Sequence, residues 1–360
     1  MLVCPLSMFA LSSPLAHNLN MGPNGGYATN LRRELCSRNA DFARQHGLAH
    51  VSSHGREPVI VYAPNEGSGV HGNFFPASYR AIQRNARWRK RLDKVHTQAR
   101  TSLPKSERRW RELDSCTSSD ALLMSIFCCP RVLRSRNCAA MLGVEPTARP
   151  QFGYRPRVPL ANGHIERTEV DLVLGNLLIE AKLTESDFQT QSARLVETYR
   201  DLEEVFDVSR LPRALSVQPV DPFPDYDWEP DPPADCDFDD HLPVSPPPAP
   251  RLISAKAKTK EGGKTNARYI SYQLIRNVLA AHAGNESFCL ITDQRRPDLI
   301  ERWHIIMRCV RLTDLRTRCK VLTWQELSIH LPSTLQEFLA QKYGIACLHG
   351  TLTQSRISGA

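Results

Sequence analysis

Apolar and polar positions along the chain fall into periodic blocks separated by stretches without pattern. SSDALLMSIFCCP, residues 118–130, reads as a helix, because Ser118 or Ser119 can cap its start and Pro130 closes it. Upstream, HGNFFPASYRAIQRNARWRKRLDKVHTQA sets Tyr79, Ile82, Trp88, Leu92 and Val95 on one stripe at helical spacing. Arg80, Arg84, Arg87, Arg89, Lys90, Arg91 and Lys94 cover much of the remainder. The stretch reads as one basic helix, either a solvated face or a face that contacts phosphates. A further helix is expected from Glu185 to Val205, with Phe188, Leu195, Val196, Tyr199 and Leu202 inward. YISYQLIRNVLAAHA from Tyr269 and RPDLIERWHIIMRCV read as helices, SFCLITD and KVLTW as strands, and the chain from there to Tyr343 as helical.

Between these blocks the composition shifts. Residues 1–60 are rich in Asn, Gly, Ser and His and are expected to form a disordered or weakly ordered arm. Residues 213–250 are dense in proline and aspartate, and the basic stretch KAKTKEGGK follows. Such a segment buries little apolar area, so a disordered insertion is expected over 211–266 within one domain spanning 61–345. Residues 346–360 read as a loose tail.

Charge and cysteine content narrow the class. The formal net charge of +8 favours a polyanionic partner such as nucleic acid. The 11 cysteines form no CxxC, so neither a zinc site nor a disulfide scaffold is indicated. No apolar run approaches the roughly 18 residues of a membrane span. A cytoplasmic protein with reduced thiols is the expectation.

The candidate chemistry lies in TEVDLVLGNLLIEAKL, residues 168–183. Two apolar runs flank Gly175-Asn176, a favoured two-residue hairpin turn. Pairing outward from that turn sets Leu174 opposite Leu177, Leu172 opposite Ile179 and Asp171 opposite Glu180. Alternation then gives one face of Val170, Leu172, Leu174, Leu177, Ile179, Ala181 and Leu183. The other face carries Glu169, Asp171, Glu180 and Lys182. Opposed carboxylates destabilise a sheet, and a divalent cation removes that penalty. Mg²⁺ characteristically takes one or two protein carboxylates and completes its shell with water and phosphate. Relief of the pair also implies that Glu180→Ala stabilises the metal-free protein.

Asp171 followed by Glu180-Ala181-Lys182 resembles the signature of the PD-(D/E)xK nuclease superfamily, which includes restriction endonucleases and repair nucleases. SSDALLMSIF resembles the first core helix of a restriction-endonuclease-like family within it, YQLIRN the helix after the hairpin, and SFCLITD the next strand. Val170 stands where the superfamily name has Pro. The resemblance implies an α/β fold, a restriction-endonuclease-like mixed β-sheet core in the order αβββαβ flanked by helices. It implies that Asp171 and Glu180 bind Mg²⁺, with Mn²⁺ as substitute, and that Lys182 assists the attacking water. It places Asp120, on the first core helix, as a third metal residue, where relatives carry Gln. Gln273, which shares a helix face with Asn277, is in position to orient the lysine or the DNA backbone. The implied activity is Mg²⁺-dependent hydrolysis of DNA by a restriction or defence endonuclease. A structure-specific repair or recombination nuclease, and an inactive nucleic-acid-binding protein of the same fold, are the alternatives. Duplex cleavage is simplest with two active sites, which leaves a homodimer open.

Overall fold

The two apolar runs around Gly175-Asn176 form the centre of a five-stranded sheet in a computed structural model that describes residues 26–53, 58–65, 69–94, 111–216 and 266–346. Its strands are β1 (Gln151–Tyr154), β2 (Val170–Leu174), β3 (Leu177–Ala181), β4 (Ser287–Thr292) and β5 (Cys319–Thr323). They lie in the order β5-β4-β3-β2-β1. The β2–β3 hairpin and the β1–β2 pair are antiparallel, and β4 runs parallel to both β3 and β5. Gly175 takes φ 58°, as glycine does at the first position of a II′ turn.

The main helices are α1 (Tyr27–Gln45), α2 (Pro76–Arg84), α3 (Ala86–Arg91), α4 (Ser119–Phe127), α5 (Tyr272–Ala283), α6 (Pro297–Met307) and α7 (Ser333–Tyr343). The chain thus runs α4, β1, β2, β3, α5, β4, the αβββαβ order expected for this fold class. A parallel neighbour for β3 needs a crossover, and α5 provides it.

Both faces of the sheet are covered. Leu172, Leu174, Leu177 and Ile179 pack against α1, α4 and α7 through Leu31, Leu123, Ile126 and Leu335. Val173 and Leu178 pack on the other side against α5 and α6 through Ile275, Val278 and Trp303. Every residue of β3 is consequently buried. Val170 joins the second cluster rather than the first, because the strands part at that end of the hairpin. Among the described residues no helix is long and apolar enough to cross a membrane.

Several elements differ from the sequence reading. The arm expected over 1–60 contains α1, whose Leu31, Leu35 and Phe42 are core residues, and residues 1–25 lie outside the described set. The single basic helix is two helices, since the Asn85 side chain accepts from the Arg87 and Trp88 N–H groups and starts α3 afresh. Val95 lies outside the described residues. The helix expected from Glu185 to Val205 is replaced by a strand at Thr190–Ser192 and short helices at Ala193–Val196 and Leu202–Val205. Gln189 at φ 61° breaks the helix, and Leu195 is 40% exposed. Phe188, Val196, Tyr199 and Leu202 are buried as expected. Asn266–Ile270 is a strand that pairs with both Thr190–Ser192 and Arg213–Ser216, so α5 begins only after Ser271. The ends of the 211–266 segment are therefore ordered, and the disorder expected between them falls on 217–265, outside the described residues.

α7 buries a lysine. The Lys342 Nζ donates to Asn39 Oδ1 at 2.6 Å and to the Gly72 carbonyl at 3.0 Å, and stands 3.8 Å over the Tyr62 ring. These partners are neutral, and burial pushes the ammonium well below its usual pKa. A lysine depressed in the folded state binds fewer protons there than in the unfolded chain, so it lowers stability below the free-lysine pKa. Lys342→Met is expected to raise the unfolding free energy at pH 7 by about 1 kcal/mol. The gain should shrink as pH climbs toward the free-lysine range, and urea titrations at pH 7 and pH 10 measure both effects.

Candidate active site

The hairpin pairs Leu174 with Leu177, Val173 with Leu178 and Leu172 with Ile179, the register deduced from its two-residue turn. Beyond Leu172 the strands separate. The Ala181 N–H, which a continued ladder would give to the Val170 carbonyl, goes instead to Asp171 Oδ2 at 2.8 Å. That splay opens the polar end of the hairpin and keeps Asp171 half-buried beside Glu180.

Glu180 is 2% exposed and Lys182 6% exposed. Two positions apart, at and just beyond the end of β3, their side chains share a side, and Lys182 Nζ donates to Glu180 Oε1 at 2.8 Å. Asn277 on α5 donates to the other oxygen, Oε2, at 3.0 Å. Arg276 in turn donates to Asn277 Oδ1 at 2.6 Å and to the carbonyls of Thr168 and Glu169 at 2.6 and 3.0 Å. Two adjacent residues of α5 therefore hold the glutamate and the strand that carries Asp171.

The backbone around Lys182 is equally constrained. Its N–H donates to the Ile291 carbonyl on β4 at 2.9 Å, and its carbonyl accepts from the Trp324 indole at 3.0 Å. Downstream, buried Arg296 donates to the Leu183 and Glu185 carbonyls at 3.2 and 2.7 Å. Glu185 accepts from Ser119 at the start of α4 at 2.6 Å.

Asp171 and Lys182 sit in contrasting electrostatic surroundings. Burial raises the Asp171 carboxyl well above the usual range, and the negative charges of Glu180 and Asp120 raise it further. Burial acts to lower Lys182, but Glu180, Glu185 and Asp171 overcome it and keep the ammonium above its usual value. Lys182 is therefore protonated at neutral pH.

Asp120 is 3% exposed and lies within electrostatic reach of Asp171. Its Oδ2 accepts from Lys94 at 2.8 Å and from Arg91 at 3.0 Å. Burial acts to raise this carboxyl, but the two cations hold it below the usual range. Gln273 occupies the first turn of α5, and its backbone N–H donates to the Phe188 carbonyl at 3.0 Å. The Phe188 ring lies 5.9 Å from Lys182 Nζ. The Gln273 Oε1 is buried with no partner among the described residues, and the side chain that touches Glu180 is that of Asn277, one turn further on.

Arg91, Lys94 and Arg276 also belong to this cluster. The basic pattern of 80–94 marked Arg91 and Lys94 only as members of a charged surface, and nothing in the spacing links them to Asp120. Strand β1, with weak apolar alternation, carries no sequence signal comparable to the hairpin's.

Among the described residues no group of three or more His, Cys, Asp or Glu side chains converges as a ready metal site. Asp171 and Glu180 remain as a carboxylate pair, and Asp171 Oδ1 takes no hydrogen bond from the described residues.

A family model described as Restriction Endonuclease associating with ARP matches residues 36–230 and 249–344. No curated protein and no solved structure matches the chain.

The geometry reverses one expectation and sharpens another. Glu180→Ala leaves the buried Lys182 ammonium without its carboxylate, so it should lose about 3 kcal/mol of stability rather than gain any. Asp171→Asn keeps an acceptor for the Ala181 N–H and removes the crowded charge. A carboxyl raised in the folded state holds its proton longer than in the unfolded chain, so wild-type stability falls as pH rises from the unfolded aspartate value toward the folded one. Asp171→Asn should therefore be about 1 kcal/mol more stable than wild type at pH 7, with the difference vanishing near pH 4. Urea unfolding in EDTA at the two pH values checks both variants.

Proposed function

Because the chain belongs to that restriction-endonuclease family, matched over most of its length, we propose that it is a DNA endonuclease of restriction type with the divalent-metal chemistry of PD-(D/E)xK nucleases. The observation that supports this most directly is the convergence of Asp171, Glu180 and Lys182 at the splayed end of one hairpin, with Asp171 charge-crowded and one of its oxygens unengaged.

The donor set fits a hard cation. Asp171 and Glu180 would hold Mg²⁺, or Mn²⁺ in its place, and two carboxylates suffice for an ion that keeps water and phosphate in its remaining positions. Bound there, the ion would polarise the scissile phosphate and lower the pKa of a coordinated water. The protein's own groups do the rest. Lys182 keeps its proton, so it serves as a positive charge and hydrogen-bond donor toward the developing negative charge, not as a base. Asn277 and Arg276 fix the Glu180 carboxylate before substrate arrives, which spares the reaction that reorganisation.

Cleavage of plasmid and single-stranded DNA in Mg²⁺, Mn²⁺ or EDTA tests the reading. Wild type should cut only with metal, and Asp171→Ala should not cut. Lys182→Met should bind DNA within a few-fold of wild type and cut at least about 100-fold more slowly. Cutting restricted to branched or single-stranded DNA would favour a repair or recombination nuclease. Equal DNA binding by wild type and Asp171→Ala with no cleavage under any metal would overturn catalysis in favour of a binding protein of the same fold.

A further inference from the structure

Arg91, the last residue of α3, reaches into the acidic cluster across Gly153 of β1. The register pairs Phe152 with Leu172 and Tyr154 with Val170, which sets Gly153 beside Asp171. A Cβ at Gly153 would collide with Arg91 Nη1 and meet Glu169 Cδ at 3.1 Å. Gly153 also has φ 65°, which favours glycine by itself, and the guanidinium lies directly over its Cα. Once there, Nη1 pairs with Glu169 and Nη2 with Asp120 at 3.0 Å. Lys94 approaches the same Asp120 oxygen at 2.8 Å and Glu112 at 3.2 Å.

Two features set this arrangement apart from an ordinary buried ion pair. The Arg91 side chain is only 10% exposed, yet its Nε–H is buried with no acceptor among the described residues. A buried donor without a partner is a costly arrangement for a purely structural side chain. Asp120, moreover, spends its charge on two cations, which leaves it poorly suited to a metal. A guanidinium with one unpartnered N–H beside Asp171 suits an anionic oxygen ligand, and phosphate oxygens are the usual partner of arginine's planar donor set.

We propose that Arg91, supported by Lys94, binds a backbone phosphate of the DNA at this site, and that Asp120 is their counter-ion rather than a metal ligand. The assignment of the phosphate to DNA rests on the endonuclease reading, whereas the close approach at Gly153 and the unpartnered Nε–H do not. Between substrates the Asp120 carboxylate keeps both cations in place. When the phosphate arrives, Arg91 contributes positive charge in addition to that of Lys182.

The test uses two measurements that need no cleavage. Affinity for a fluorescently labelled 20-base-pair duplex is measured in EDTA from 50 to 200 mM salt, for wild type, Arg91→Gln and Asp120→Asn. Loss of one phosphate contact should reduce the salt slope of Arg91→Gln by about one, so its deficit against wild type should be about threefold larger at 50 mM than at 200 mM. Asp120→Asn frees the cations and should bind DNA about threefold more tightly than wild type at 50 mM. Calorimetric titration with Mn²⁺ alone should give Asp120→Asn an affinity within about threefold of wild type, against the 10- to 100-fold loss typical when a site loses a supporting group. An unchanged salt slope in Arg91→Gln, unchanged or weaker DNA binding by Asp120→Asn, or a Mn²⁺ affinity more than tenfold lower in Asp120→Asn would each overturn the proposal. A protein that shows the expected slopes but never cuts fails only the endonuclease reading. One that cuts while Arg91→Gln keeps the wild-type slope fails only this inference.

Discussion

A glutamate and a lysine two positions apart in extended chain project to the same side of the sheet, and here that side is buried. Removing two charges from water costs several kcal/mol each unless they meet each other and their remaining hydrogen-bonding capacity is used. Glu180 and Lys182 satisfy that requirement through the 2.8 Å contact between them, the Asn277 amide on the second oxygen, and Arg276 behind Asn277. The requirement dictates much of the surrounding structure. Helix α5 must cross the hairpin with Asn277 facing it, and the strand carrying Asp171 must lie where Arg276 can reach the carbonyls of residues 168 and 169. The β4 and Trp324 contacts then hold the backbone of Lys182 itself.

Asp171 is treated differently. Where each Glu180 oxygen accepts a side-chain hydrogen bond, Asp171 receives one from a backbone N–H and faces two other carboxylates. The two acids on neighbouring strands thus differ, Glu180 having an ion-pair partner and Asp171 none among the described residues. Such a residue lowers the stability of the protein, which is the basis for proposing a cation beside it. The neighbouring Asp120 is matched by cations from a separate helix, which divides the acidic cluster into a part balanced by side chains and a part that is not. The functional reading rests on that division, together with the family match over residues 36–230 and 249–344.

The hairpin was the most legible part of the chain. Gly175-Asn176 between two alternating apolar runs determines its own register, because a two-residue turn admits one pairing. Asp171, Glu180 and Lys182 could therefore be brought together before any tertiary contact was known. The helices α4, α5 and α6 were legible for a related reason: continuous apolar stripes with local stops such as Ser118 and Pro130. Helix α1 escaped notice because its apolar residues are diluted by arginine and asparagine, so it depends on burial of Leu31 and Leu35 against other helices. Residues 185–205 have helical spacing, yet pairing of Thr190–Ser192 with a strand more than 70 residues away prevails over it.

The amino-acid order by itself thus determined the hairpin register and the meeting of Asp171, Glu180 and Lys182, since both depend on spacing within about a dozen residues, whereas the fold class came from the resemblance of several segments to a known family. It could not determine which charge meets which across long separations. Asn277 on Glu180, Arg296 on the carbonyls after Lys182, and Arg91 with Lys94 on Asp120 join residues 26 to 113 positions apart. Only the packed sheet brings those groups into the low-dielectric space where an unpaired charge is costly, and there the tertiary structure decided which carboxylates meet cationic side chains and which does not.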